Sequence, residues 1–269
     1  MYICQRYSVS LLTINITLTQ IMYIGGGTGY CIELVDGKEV YHAENDRMLP
    51  EEIEHIYPDY SLYPEQTKDT AYGFLTRGCP RGCAFCHVEA KEGRCSRKVA
   101  DLSEFWHGQK NIVLCDPNLI ACPEWRDLLQ QLIDSNAYVD INQGIDIRMI
   151  TEEKARMIKQ LKVNNIHFAW DRYQDIDNVL PKLKLFKKIT GWNFRKMTVF
   201  VLVNFDTTFE QDLDRIYTLR DMGYNPYVMI YDKEHTSPAD DVRKLQRWVN
   251  SRAIFRSVET YEEYIRERR

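Results

Sequence analysis

Three cysteines carry the chemistry most readily read in this chain. Cys79, Cys83 and Cys86 stand at CxxxCxxC spacing within Thr76-Arg77-Gly78-Cys79-Pro80-Arg81-Gly82-Cys83-Ala84-Phe85-Cys86, a turn built from two glycines and a proline. Three thiolates on so short a loop can hold three irons of a [4Fe–4S] cluster, leaving the fourth iron open to a small molecule. The rival reading is a structural zinc site. Zinc takes four ligands, commonly from separated CxxC pairs. Here His87 would have to be the fourth, and neighbours such as Cys86 and His87 rarely point at one tetrahedral ion. The spacing favours a cluster. Cys95, Cys115 and Cys122 lack tight spacing; a second cluster is one reading of them, and Cys115, inside a strand pattern, also reads as a small buried residue.

A loop of this kind must be presented by a scaffold, and the sequence after residue 70 has a regular one. Apolar runs rich in β-branched and aromatic residues occur at 71–75, 111–115, 137–141, 165–170, 197–205 and 227–231. Helical periodicity fills most of the gaps. Segment 123–135 places Trp125, Leu128, Leu129 and Leu132 on one face, and 238–250 does the same with Val242, Leu245, Trp248 and Val249. Segment 151–161 opens on an N-cap threonine with acidic residues behind it, and 207–222 ends at Gly223. Strand and helix in alternation predict βα units and a parallel sheet. Six units are countable where a full barrel has eight. The expected fold is therefore α/β, a partial (β/α)6 barrel with a short N-terminal appendage. A closed barrel or an open doubly wound sheet has the same periodicity.

In βα architectures the active site lies at the strand C-termini. The cysteine loop follows the first strand, Asp116-Pro117-Asn118 the second, and Gln143-Gly144-Ile145-Asp146-Ile147-Arg148 the third. Asp171 and Arg172, Asn204 and Asp206, and Tyr231 and Asp232 end the remaining three.

The first 70 residues read differently. Ile24-Gly25-Gly26-Gly27-Thr28-Gly29-Tyr30 lacks the GxGxxG register, which argues against a dinucleotide site. Residues 31–41, with Asp36-Gly37 at the middle, predict a hairpin. The stretch from Pro50 to Pro64 carries Tyr57, Tyr60 and Tyr63 and reads as a linker packed on the following domain. The expected division is an appendage and linker over 1–70 and the barrel over 71–269.

With 44% hydrophobic and 28% charged residues, the 269-residue chain suits a globular protein. A formal charge of -4 gives no global pull toward nucleic acid or anionic lipid, so neither is expected as a partner. Lys182, Lys184, Lys187 and Lys188 read as a solvated helix face. The apolar stretch 11–24 is broken by Thr13, Asn15, Thr17, Thr19 and Gln20, which makes it a poor membrane span and a poor signal core. Eight cysteines in a chain of this length do not suggest a disulfide framework, and a reducing cytoplasm is the expected compartment.

The cysteine loop resembles that of the radical S-adenosylmethionine (SAM) enzymes, down to the aromatic residue before the third cysteine. The resemblance runs from about Tyr57 to the C-terminus, specific in the cysteine motif and architectural elsewhere. It implies that Cys79, Cys83 and Cys86 ligate a [4Fe–4S] cluster, that Phe85 lies near the adenine of SAM, and that Gly78 and Gly82 let backbone approach the cluster. SAM would chelate the open iron, and reductive cleavage would start radical modification of a substrate the sequence does not identify. A reduced flavodoxin- or ferredoxin-type protein would supply the electron. The family's glycine-rich stretch after the second strand is absent, and Asp116-Pro117-Asn118 stands in its place. Asn118 is then a candidate for the SAM amino group, and Arg148, or Gln143, for its carboxylate. The layout is also similar to members with an upstream cobalamin-binding domain, of which residues 1–70 would be a shortened remnant. No DxHxxG segment is present to ligate cobalt, so cobalamin is not expected. The alternative to an enzyme is a non-catalytic metal-binding or interaction protein, which has little need of three reactive thiols in one loop.

Overall fold

A computed structural model of the chain describes residues 32–35, 38–42, 44 and 51–266. The apolar stretch 11–24, the glycine-rich turn 24–30, Cys4 and Cys31 lie outside the described residues. The chain is a mixed α/β protein that divides into two compact units. The first takes the described residues as far as Gly144 together with Gln160–Asn164; the second takes Ile145–Lys159 and the described residues from Asn165 onward.

In the first unit, β1 (Ile32–Val35) and β2 (Lys38–Tyr41) pair antiparallel as the hairpin sequence predicts. The segment read as a linker forms α1 (Glu51–Glu54) and α2 (Pro64–Thr67), the latter with proline in its first turn, where a missing N–H costs nothing. Tyr60 ties this segment to the next strand, β3 (Thr70–Gly73): its hydroxyl accepts from Tyr72 N–H at 3.0 Å and donates to the Phe105 carbonyl at 2.8 Å. Beyond β3 the chain makes a long excursion. It leaves through β4 (Thr76–Arg77), forms α3 (Val88–Glu92) and returns through β5 (Arg97–Lys98), which pairs antiparallel with β4. Then β6 (Asn111–Leu114), α4 (Trp125–Ser135) and β7 (Tyr138–Ile141) complete a parallel sheet in the order β3-β6-β7. Alternate residues Ile112, Leu114, Val139 and Ile141 are buried, and Leu128, Leu129 and Leu132 of α4 are buried as well. That is the period-2 and period-3.6 patterning visible in the sequence.

The second unit opens with α5 (Glu152–Gln160) and continues through β8 (Ile166–Ala169), α6 (Ile176–Thr190), β9 (Met197–Val203), α7 (Phe209–Asp221), β10 (Asn225–Ile230) and α8 (Asp241–Asn250). Its sheet is parallel with β9 central. Central position explains the near-continuous run of apolar residues in β9, since both of its faces need cover. Thr208 and Gln211 form a reciprocal capping box at the start of α7, each side chain bonding the other's backbone N–H. Two short helices, α9 (Arg252–Ser257) and α10 (Tyr261–Arg266), follow, and their Phe255 and Tyr264 pack on Trp248 of α8. No helix among the described residues is long and apolar enough to cross a membrane.

Candidate metal centre

The excursion between β4 and β5 holds Cys79, Cys83 and Cys86, and its base is closed by four sets of interactions. The β4–β5 ladder pairs Thr76 with Lys98 and Arg77 with Arg97. Val99 N–H donates to the Leu75 carbonyl at 2.8 Å, and Cys79 N–H donates to the Gly93 carbonyl at 3.2 Å. Glu92, almost buried, accepts from Gly78 N–H at 2.9 Å and from Arg77 at 3.2 Å, while Arg97 donates to the Glu92 carbonyl at 2.8 Å. Arg77 also lies over the Phe74 ring at 3.8 Å. The loop is therefore fixed at its neck.

The two glycines have different reasons to be glycine. Gly78 has φ +87°, and a Cβ there would lie 2.1 Å from the Cys95 carbonyl oxygen, so backbone occupies the space a side chain would need. Gly82 has φ +58°, but what a Cβ would meet is the Glu89–Arg94 ion pair, the far ends of two flexible side chains. Gly78 sets the neck of the loop and Gly82 only a turn within it.

Below the loop lies a buried carboxylate. Asp116, fully buried at the end of β6, accepts from Leu75 N–H at 3.0 Å, from Thr76 N–H at 2.6 Å and from the Thr76 hydroxyl at 2.6 Å. Burial pushes its carboxyl up to about 6, against the pull of those three bonds and of Arg77. Asp116 thus aligns the end of one strand with the entry to the cysteine loop.

Two residues on, Asn118 is 2% exposed. Its Nδ2 donates to Cys79 Sγ at 3.5 Å, its carbonyl accepts from the Ser96 hydroxyl at 2.9 Å, and its Oδ1 is buried with no hydrogen-bond partner. Phe85 is half-buried in the loop. Gln143 is half-buried in the turn after β7, where Gly144 N–H donates to the Ile141 carbonyl at 2.9 Å. His87 starts α3 and stacks toward Tyr41 of β2, with ring centroids 6.5 Å apart.

Arg148 belongs to the second unit and has carboxylate partners there: Nε to Asp146 at 2.8 Å and Nη1 to Asp175 at 2.6 Å. Burial works against its charge, but those two carboxylates outweigh burial and raise its pKa. With two carboxylates around one guanidinium, a further anion gains less from Arg148 than from an unpaired arginine.

Thiols are the donor type that an iron–sulfur cluster takes. Cys79, Cys83 and Cys86 are half-buried thiols on a fixed loop, and Gly78 brings backbone close where a side chain would intrude. Cys95 is exposed, whereas Cys115 and Cys122 are buried. The Cys122 thiol donates to Glu124 at 3.0 Å, and burial together with that carboxylate pushes its pKa up to about 11, which suits a neutral packed thiol. Among the described residues no three His, Cys, Asp or Glu side chains converge as a single metal ion would require.

A local surplus of positive charge around the cysteines is legible in the sequence. Between residues 77 and 98, six basic residues face two acidic ones, within a chain of net charge -4. Such a surplus offsets the negative charge of a thiolate-ligated cluster. The contacts of Asp116 and Asn118, by contrast, span some 40 residues of chain and have no local signature. No protein-family model matches the chain, and no curated protein matches it.

Proposed function

We propose that this chain is a radical SAM enzyme that cleaves SAM reductively at a [4Fe–4S] cluster held by Cys79, Cys83 and Cys86. The observation that carries the reading is the CxxxCxxC triad on a loop closed at its neck, with Gly78 in a conformation and a space that only glycine fits. Bound SAM and a reduced cluster together supply a carbon-centred radical able to abstract hydrogen from an unreactive carbon. The residues of the chain bind and orient. The three thiolates ligate, and Asp116 holds the loop entry against the end of β6. The buried, unpartnered Oδ1 of Asn118 suits the amino group of SAM, because an acceptor left alone in the interior gains from a donor brought to it. Phe85 would pack on the adenine, and Gln143 would meet the SAM carboxylate.

The fold proposed with this activity is a partial (β/α)6 barrel, supported by six parallel-paired strands interleaved with helices. A cytoplasmic setting and a flavodoxin- or ferredoxin-type donor belong to the same proposal, since a reduced cluster needs both low potential and shelter from oxygen.

Metal content after anaerobic reconstitution tests the first half of the reading. With iron, sulfide and zinc all offered, the wild type is expected to take up about four irons per chain. The Cys79→Ala, Cys83→Ala and Cys86→Ala variants are expected to lose most of it, and SAM to perturb the electron paramagnetic resonance signal of the reduced cluster. Uptake of zinc in place of iron would overturn the proposal.

A further inference from the structure

Asn118 has a second capability, carried by its other amide atom. Its Nδ2 lies 3.5 Å from Cys79 Sγ, a normal separation for an N–H donor and sulfur. A thiolate can only accept, so the amide must present nitrogen and not oxygen to it. The residue is 2% exposed, and the Ser96 hydroxyl donates to its backbone carbonyl at 2.9 Å. Asn118 is thus seated before any ligand arrives, and water does not compete for its N–H. Resting on the cluster reading above, we infer that Asn118 is a positioning residue that sets the reduction potential of the cluster through an N–H···S bond to Cys79.

The direction follows from charge. Reduction adds an electron to a cluster whose negative charge lies partly on its sulfurs, and hydrogen bonds to those sulfurs are among the determinants of potential. A donor stabilises the more negative, reduced state, so this N–H raises the potential and its loss lowers it. Asn118 therefore sets how strong a reductant the enzyme needs, a property separate from whether SAM binds.

The test is a potentiometric titration of the reconstituted cluster without SAM, followed by electron paramagnetic resonance, on wild type, Asn118→Leu and Asn118→Asp. Leucine removes the donor at similar volume; aspartate removes it and adds charge. The expected result is normal iron content in both variants, with reduction about tenfold less favourable in Asn118→Leu. That corresponds to a midpoint about 59 mV lower for one electron, and Asn118→Asp should lie lower still. Unchanged midpoints at normal iron content would overturn the inference. So would loss of iron from both variants, because one hydrogen bond does not decide three-thiolate ligation. Failure of the wild type itself to take up iron would instead sink the cluster reading, which keeps the two failures apart.

Discussion

The two units fix their strand ends with buried charges of opposite sign. In the first, Asp116 accepts from backbone and hydroxyl donors of Leu75 and Thr76. In the second, fully buried Arg215 of α7 donates to the carbonyls of Trp170 at 2.5 Å, Asp171 at 2.9 Å and Leu202 at 2.7 Å, and pairs with buried Asp212 at 2.5 Å. The guanidinium has a buried counter-charge. The carboxylate accepts from neutral groups only, and Arg77 acts on it without a bond. The consequence is that the strand ends of the second unit are braced by a paired charge, whereas those beneath the cysteine loop rest on an acid whose ionisation is costly. Both units nevertheless hold a strand-end carboxyl that burial pushes up to about 6, Asp116 in the first and Asp171 in the second, so the difference lies in the bracing and not in pH sensitivity.

The largest expected effect lies in the paired brace. Arg215→Ala leaves Asp212 as an uncompensated buried charge and three carbonyls without their donor, a loss of about 3–5 kcal/mol. Urea unfolding would read it, and the double variant with Asp212→Ala should cost clearly less than the sum of the two single changes. Additive losses would show that the two residues do not act as a pair.

Next comes the neck of the cysteine loop. Gly78→Ala places a methyl against the Cys95 carbonyl at a left-handed φ, which costs about 2–3 kcal/mol from strain and displaced backbone. Iron uptake should fall sharply with it. Gly82→Ala is the control within the same loop: it costs about 1 kcal/mol for the left-handed φ, the Glu89–Arg94 pair can move aside, and iron uptake should persist. Equal effects at the two glycines would contradict the division of roles between neck and turn.

Asp116→Asn is subtler and bears most directly on the comparison. One oxygen becomes an NH2 that faces backbone N–H donors, leaving a buried donor unsatisfied at a cost of about 1–3 kcal/mol. The folded carboxyl sits at about 6, above its ordinary 3.8. Its protonated form is therefore the one the fold prefers: its contribution is full below pH 3.8 and is lost as pH rises through about 6. The deficit of the variant relative to wild type should be largest near the acid end of that window and shrink above it. A deficit that does not change with pH would place the Asp116 pKa outside the window.

How much of this was legible beforehand depends on the range of the interactions involved. The six main strands and four of the helices follow local patterning, and each lies within a few residues of its expected bounds. The helix α6 was visible only as its lysines, because Pro181 and the charges mask the buried line of Val179, Leu183 and Phe186. Two of those lysines are not simply solvated: Lys182 donates to the Ile150 carbonyl at 2.8 Å, and Lys187 bonds the Met222 carbonyl. The two-residue strands β4 and β5 have no period to detect and exist because the chain returns on itself 20 residues later. At the candidate site the cysteines were legible as a motif. Asn118 was legible as a residue type at a strand end, but not as a neighbour of Cys79, since that contact is made by the tertiary fold.

The most direct test of the central claim is product analysis under anaerobic conditions. Reconstituted protein, SAM and a strong reductant are incubated beside a Cys83→Ala control, and 5′-deoxyadenosine is quantified. The account predicts 5′-deoxyadenosine from the wild type and none above background from the variant. Its absence from iron-loaded wild type, or equal amounts from both proteins, would contradict the assignment of Cys79, Cys83 and Cys86 to a cluster that cleaves SAM.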